Sequence, residues 1–249
     1  MPGVLRIDVG DPTRGRHQPS PKQLHGLVST LLGETDEEHS AAEKPWSASI
    51  DRESRERLVI RVGWLRTSVP TGELPAAVRL GPATCPVLAR SYIPSSFADL
   101  AACPAREVGM EFLTPTWFSR RGQALPFPEP HLVFTRLAER WNAHCQPGQG
   151  LPDPLRDALL DELELVSWSG STWRMDLGRG VRTGFVGRMV VALADRVGTE
   201  VPGQPLPREA SPVADFIPTA FGALAGFAEI CGVGAQTTFG AGHVRAIRL

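Results

Sequence analysis

The sequence predicts an α+β protein made of two consecutive β-α-β-β-α-β units. The first hundred residues alternate between strand-like and helix-like patterns in that order, and a fresh strand pattern begins at Val108. The chain has 249 residues, of which 42% are hydrophobic and 21% charged. That length and composition are typical of a globular protein with one large domain or two ordinary ones.

The first unit is predicted from periodicity and helix signals. Residues 4–9 alternate between apolar and polar side chains, which is typical of a half-buried strand. Ser20 and Pro21 favour a helix start, and apolar residues at helical spacing continue the helix to Gly33. The other expected elements are strands at 46–50, 58–65 and 87–93, and a weak helix at 71–80. This order defines a ferredoxin-like unit, the scaffold that RNA-recognition motifs also use.

The second unit repeats this order with longer connections, so we place the domains at 1–104 and 105–249. A strand at 108–113 is expected to break at Thr114-Pro115-Thr116, and a loop at 117–122 follows it. The remaining expected elements are a helix around 132–141, a linker at 146–154, strands at 163–166, 173–177 and 184–193, a proline-rich loop at 198–211, a helix face over 213–227 and a last strand at 244–249.

Charge and cysteine usage limit the class of protein. The net charge is −1, so an interaction with nucleic acid would need a local basic patch. The four cysteines form no C-x-x-C pair, which favours reduced thiols in a cytoplasmic protein without a zinc or redox motif. The chain opens directly on a strand pattern, which indicates no signal peptide. The apolar segment 216–228 is too short to span a bilayer, so no membrane contact is expected.

The C-terminal segment 231–243 is the most distinctive motif of the chain. It contains two G-x-G pairs separated by polar residues: Gly232, Gly234, Gln236, Thr237, Thr238, Gly240 and Gly242. Glycine permits positive φ and close approach, and a run of exposed amide N–H groups would form a concavity for anions. A tight helix-to-strand connection would also need these glycines. The spacing matches neither a Walker loop nor a dinucleotide-binding motif.

Several segments together resemble the CRISPR-associated endoribonucleases that process precursor CRISPR RNA, a branch of the repeat-associated mysterious protein superfamily. They occur in the family's order and span nearly the whole chain. The segments are 23–27, 39–46, 112–118 running into Arg120 and Arg121, 184–187 and 232–242.

This resemblance implies two tandem ferredoxin-like domains and cleavage of CRISPR repeat RNA at the 3′ base of its hairpin. In the implied reaction the upstream 2′-hydroxyl attacks the scissile phosphate, and the products are expected to carry a 2′,3′-cyclic phosphate and a 5′-hydroxyl. The reaction is expected to need no metal and no cofactor. The expected partner is CRISPR repeat RNA, precursor and mature. A CRISPR effector complex and a second copy of the chain remain open as further partners.

The resemblance places the catalytic residues in and after the first helix. His39 lies in the loop where this family often carries its catalytic histidine, and imidazole suits general acid or base chemistry near neutral pH. His25 is the second candidate; it lies one helical turn before Ser29, which stands where some members have a tyrosine. Lys44 would stabilise the developing charge or be an ordinary exposed lysine.

RNA contacts are expected from two segments of the second unit. Arg120 and Arg121 would bind phosphates without reading sequence, or form a solvated charged loop. The glycine segment would line the same groove. A non-catalytic RNA-binding subunit of a CRISPR effector complex and a protein–protein adaptor on ferredoxin-like domains remain alternative functions. A histidine beside the scissile phosphate would distinguish the enzyme from the first alternative.

Overall fold

The protein consists of two tandem ferredoxin-like domains, each built on an antiparallel sheet. The computed structural model describes residues 1–249 except 36, 38–42, 71–72, 121–122, 179 and 195–212. The side chains of Arg120 and Arg248 also lie outside the described part. The two antiparallel sheets confirm the prediction of two tandem ferredoxin-like domains. The exact division at residues 104 and 105 stays a prediction.

The first sheet has the strand order β2-β3-β1-β5-β4. Strand β5 takes the place of the fourth ferredoxin strand beside β1, and β4 extends the sheet outward. Helix α1 begins with a capping box between Ser20 and Gln23 and ends at Gly33, which has a φ of 64°. The elements of this part are β1 (Gly3–Gly10), α1 (Pro21–Leu32), β2 (Trp46–Ser54), β3 (Arg57–Trp64), β4 (Ala77–Leu80) and β5 (Ala83–Pro94).

The weak helix expected at 71–80 is wrong within its described residues. Ala77–Leu80 forms a strand that pairs with β5, and Leu80 lies opposite Ala83 across a turn at Gly81, whose φ is 62°. Val78 and Leu80 are buried at alternate positions, so the true hydrophobic period is two. The short run of apolar residues could not distinguish this period from a helical one.

The second sheet has the ferredoxin order β11-β6-β10-β9. Helices α3 and α5 pack against it around a large apolar core that includes Phe134, Phe221 and Met189. The elements are α2 (Phe97–Ala101), β6 (Glu107–Thr116), β7 (Phe118–Arg120), β8 (Gln123–Leu125), α3 (Pro130–His144), α4 (Asp153–Asp161), β9 (Leu163–Asp176), β10 (Val181–Leu193), α5 (Ile217–Cys231) and β11 (Val244–Arg248).

Several boundaries in the second unit differ from the predictions. Strand β6 continues through Pro115 because the register with β10 shifts there, where the missing proline N–H interrupts no regular ladder. The two short strands expected at 163–166 and 173–177 are one long strand, and α4 was not expected at all. The loop expected at 117–122 is a hairpin of β7 and β8. The proline-rich loop at 198–211 lies outside the described residues.

The two domains meet in close backbone contact. A Cβ on Gly63 of β3 would fall 1.6 Å from the carbonyl oxygen of Ile230 on α5. The same oxygen accepts a hydrogen bond of 2.6 Å from Ser47 Oγ of β2. Phe97, which follows the first sheet in sequence, is buried in the core of the second.

The stretch Ala214–Cys231 is long and apolar enough to cross a membrane, judged by length and composition alone. However, 61% of it is buried inside the protein, as is typical of a core helix.

Candidate nucleic-acid interface

His25 is held in an aromatic sandwich between the two domains. Its ring stacks on Phe239 of the glycine segment with centroids 4.0 Å apart and planes inclined by 4°. On the other side lies Trp46, with centroids 5.3 Å apart. His25 Nδ1 is 3.3 Å from the carbonyl oxygen of Thr238, which can only accept, so this contact requires a proton on Nδ1. The first helix therefore presents His25 directly to the glycine segment.

Ser29 lies on the same buried side of α1 as His25, as the sequence predicts. Its hydroxyl donates a 2.5 Å hydrogen bond to Glu34 Oε2, just after the helix ends. Trp46 Nε1 donates a 2.6 Å hydrogen bond to the other carboxylate oxygen, and Lys44 Nζ lies 3.3 Å from it. Ser29 is thus part of a carboxylate-binding cluster in the described structure.

The Glu34–Lys44 ion pair is almost fully removed from solvent. The two side chains are 6% and 9% exposed. Burial by itself would raise the pKa of Glu34, but the hydrogen bonds from Ser29 and Trp46 and the charge of Lys44 outweigh it and lower the pKa. Lys44 is therefore neither exposed nor positioned as an isolated cation: its charge lies against a buried carboxylate.

This ion pair joins the two ends of the segment that contains His39. Residues 36 and 38–42 lie outside the described part, so the predicted catalytic role of His39 stays a prediction. Glu34 precedes the segment and Lys44 follows it, which fixes where the segment leaves and rejoins the fold. Both ends are close to the aromatic sandwich because Trp46 takes part in both clusters.

Arg140 on α3 joins the same region from the second domain. One guanidinium nitrogen donates to the carbonyl oxygen of Cys231 at 2.6 Å and to Thr237 Oγ1 at 3.1 Å. The other donates to the carbonyl oxygens of Lys44 and Trp46, both at 3.1 Å. The planar guanidinium group of Arg140 therefore holds the start of β2 against the glycine segment. Sequence periodicity missed Arg140, because it identified only its apolar neighbours on α3.

The glycine segment is a tightly packed connection. A Cβ on Gly242 would fall 1.9 Å from the carbonyl oxygen of Val233, and one on Gly234 would fall 2.5 Å from that of Trp117. Gly232, Gly234, Gly240 and Gly242 all have positive φ, as does Gln236 at 60°. Their geometry supports the alternative interpretation, in which glycine is needed for the helix-to-strand connection.

The expected run of exposed amide N–H groups is wrong for much of this segment. Amides donate to backbone carbonyls at six positions, and Thr237 and Thr238 are buried. The reason is that the segment folds back on itself and on the end of β6, so that many of its amide N–H groups already donate to carbonyl oxygens of the protein. The six donating residues are Gly232, Val233, Ala235, Phe239, Ala241 and Gly242. The more exposed part of the segment consists of Gly234, Ala235, Gln236 and Phe239.

The β7–β8 hairpin emerges beside this segment. Trp117, which precedes β7, accepts a 2.8 Å hydrogen bond from the amide of Ala235. Arg120 ends β7 opposite Gln123, whereas Arg121 lies outside the described residues. The structure thus brings the base of the β7–β8 hairpin, where an arginine-containing loop was expected, to the glycine segment. Among the described residues, no group of three or more histidine, cysteine, aspartate or glutamate side chains is placed to hold a metal ion.

Comparison with known proteins identifies the class to which this architecture belongs. Residues 110–244 match the family described as CRISPR-associated endoribonuclease Cas6. Since the match covers more than half of the chain, the protein belongs to the Cas6 family of CRISPR-associated endoribonucleases. No curated protein sequence matches the chain.

Solved structures agree with this assignment. A product complex of Cas6 (TTHA0078) is 27% identical, with a TM-score of 0.77 over 99% of this chain and 100% of that chain. A product complex of Thermus thermophilus Cas6 (TTHB231) is 23% identical, with a TM-score of 0.78 and coverage of 99% and 100%. A Cas6-related protein from Pyrococcus furiosus shares the fold at 10% identity, with a TM-score of 0.61 and coverage of 99% of each chain.

Proposed function

We propose that this protein cleaves CRISPR repeat RNA at the 3′ base of the repeat hairpin and so releases mature guide RNAs. The main support is its membership in the Cas6 family together with full-length similarity to TTHA0078, solved as a product complex and as a substrate-mimic complex. The contact of His25 with the glycine segment, close to the ends of the segment that contains His39, is further support for the proposal.

In the proposed reaction the 2′-hydroxyl upstream of the scissile phosphate attacks in line, and the bond to the 5′-oxygen breaks. The hydroxyl proton goes to a base, a proton from an acid goes to the departing oxygen, and the products are a 2′,3′-cyclic phosphate and a 5′-hydroxyl. His39 is the principal acid or base in this proposal, and His25 assists from α1. A histidine-to-alanine mutant of TTHA0078 is among the similar solved structures.

Lys44 and Ser29 act in this proposal through the segment that carries His39. The Glu34 carboxylate binds both side chains, so they position the ends of the segment. This role is favoured over direct charge stabilisation by Lys44, because the ion pair with Glu34 already neutralises its ammonium. Transition-state charge would then be stabilised by other cations at the interface.

RNA binding in this proposal uses Arg120, Arg121 and the glycine segment along one groove. The contact of Trp117 with Ala235 supports this, because it joins the arginine hairpin to the glycine segment. The half-buried residues of the segment there are Gly234, Ala235, Gln236 and Phe239. A cytoplasmic location, an effector complex and a homodimer are further expectations of the same proposal.

The experiment is incubation of the full chain with repeat RNA in EDTA, followed by analysis of the product ends. Cleavage should persist, and the upstream product should carry a 2′,3′-cyclic phosphate. A single 2′-deoxy nucleotide at the cleavage position should abolish cleavage and leave binding intact, because only the nucleophile is removed. Binding without cleavage of the unmodified RNA would instead favour a non-catalytic RNA-binding subunit.

A further inference from the structure

Strand β9 carries two exposed tryptophans at the free edge of the second sheet. Trp168 is 56% exposed and Trp173 is 60% exposed. The register with β10 is regular from Ser167 to Asp176, so these residues, five positions apart, face opposite sides of the sheet. An exposed aromatic side chain is informative where it adjoins other apolar surface, because contiguous exposed apolar patches mark binding sites. The two tryptophans therefore belong to two different surfaces of the second sheet.

Trp168 lies on the face that the helices cover. It pairs with Met189, which belongs to the core, and its ring is 5.5 Å from that of Phe127 in an edge-to-face arrangement. Its second aromatic neighbour is Phe185, 6.5 Å away. The position of Trp168 is thus explained by packing at the margin of the core.

Trp173 lies on the opposite face, next to the glycine segment. Two residues further along the same face, about 7 Å away by strand geometry, is Met175. Met175 packs against a small buried cluster of Trp117, Leu177 and Ala241, and its Cε lies 3.8 Å from where a Cβ of Gly240 would be. Phe239, which stacks on His25, packs against the same cluster. The face that carries Trp173 therefore adjoins the glycine segment through Met175.

The surroundings of Trp173 suit a flat ligand with a negative charge beside it. Its cross-strand partner is Gly184, which has no side chain to cover the indole, and its Nε1 donates a 3.0 Å hydrogen bond to Ser171 Oγ. The exposed Arg182 pairs with Met175 and so lies on the same face, one diagonal step from Trp173. A base on the indole would place its phosphate within reach of this guanidinium.

We propose that Trp173 is a stacking platform for one unpaired nucleotide flanking the RNA hairpin, with Arg182 binding that nucleotide's phosphate. This inference rests on the proposed function and adds the path that the RNA follows away from the site of cleavage. Single-stranded RNA is bound in this way on the exposed faces of sheets, where bases stack on aromatic side chains.

The test compares Trp173→Ala with Trp168→Ala, a matched control on the same strand with nearly equal exposure. Equilibrium binding of the wild-type repeat RNA is measured for the full chain by fluorescence anisotropy. Trp173→Ala should weaken binding about 5- to 150-fold, the range expected for one stacked base, and Trp173→Phe should keep most of the affinity. Trp168→Ala should bind like the wild type.

A scan of abasic nucleotides then locates the stacked base. One flanking position should weaken binding to the wild type and have no further effect with Trp173→Ala, because the two changes remove the same contact. Equal affinity of Trp173→Ala and the wild type would overturn this inference and leave the proposed function standing. Loss of self-association in that variant with unchanged RNA affinity would assign the surface to a second copy instead. Failure of the wild type to bind repeat RNA would overturn both proposals.

Discussion

The carboxylate of Glu34 and the ammonium of Lys44 lie 3.3 Å apart in a buried cluster, where they join the two ends of the segment that carries His39. Exposed and buried ion pairs differ greatly in their effect on stability, because only a buried charge loses its hydration. The contribution of the buried pair to stability can therefore be measured by comparison with an exposed ion pair in the same chain.

Glu34→Gln should lower the free energy of unfolding by about 3 kcal/mol, because it removes the negative charge that lies against buried Lys44. The matched control is Glu139→Gln, which breaks the exposed ion pair of Glu139 with Arg136. That change should cost below about 1 kcal/mol. Urea unfolding of both variants measures the difference, and equal costs would contradict a structural role for the buried pair.

Removing the principal acid or base should slow cleavage strongly and leave RNA affinity nearly unchanged. His39→Ala is expected to reduce the single-turnover rate about a hundredfold to ten-thousandfold. His25→Phe keeps an aromatic ring on Phe239 while removing the imidazole, so it separates chemistry from stacking. Should His39→Ala react at the wild-type rate and His25→Phe be inactive, the catalytic assignment moves to α1. Lys44→Ala should slow cleavage less than His39→Ala does. It should also lower the free energy of unfolding, as Glu34→Gln does, because both changes break the buried ion pair.

Replacing Arg120 and Arg121 together by alanine should weaken RNA binding and flatten its salt dependence. Each lost phosphate contact releases about one counterion fewer, so the slope should fall by about two for the double variant. Arg136→Ala on α3, whose side chain is 61% exposed, serves as the control. An unchanged slope in the double variant would place both arginines away from the RNA.

Gly63→Ala should destabilise the contact between the domains. The new methyl group would fall 1.6 Å from the carbonyl oxygen of Ile230, and a backbone atom cannot move aside as a flexible side chain can. We expect a cost of roughly 3 kcal/mol or more. Gly26→Ala in α1 is the matched control, because a Cβ there meets nothing within 4 Å, and it should stabilise the protein by about 0.4–1 kcal/mol. Thermal unfolding of the two variants should therefore shift in opposite directions.

His243 should make the protein less stable in acid. Burial lowers its pKa from 6.5 to about 4; Asp51 opposes this shift, whereas Arg61 and Arg245 reinforce it. Because the unfolded chain then binds the proton more readily, stability falls as the pH drops from about 6.5 toward 4. His243→Gln should show a shallower loss of stability across that window. Parallel stability curves for the variant and the wild type between pH 7 and pH 4 would contradict this assignment.

The sequence predicted the elements whose pattern is local and regular. The alternation in residues 4–9 and the cap at Ser20 identified β1 and α1, and both are confirmed. It failed for β4, which has four residues, too few to distinguish a period of two from a helical one. It also failed for the continuity of β9, which depends on a ladder with β10 that pairs Leu163 with Leu193. That pairing between residues far apart in the chain is not visible in a short window of sequence.

The candidate site was predictable only in part for the same reason. His25, Ser29 and Lys44 were recognised from their place in the chain, but the groups that hold them were not. Arg140 contacts residues 94 and 96 positions away in sequence, and Phe239 meets His25 across the domain boundary. A polar residue that satisfies distant carbonyls leaves no periodic signal, so its role becomes visible only in three dimensions.

Phe97 has a consequence for how the chain can be divided. Its ring lies at 4.7 Å from Trp141 and 5.7 Å from Phe227, inside the core of the second sheet, although the residue precedes the predicted boundary at 104. A fragment ending at 104 would carry this aromatic anchor away and leave a cavity in the remainder. Together with the contact of Gly63 and Ile230, this burial leads us to expect that the two halves unfold together in one transition.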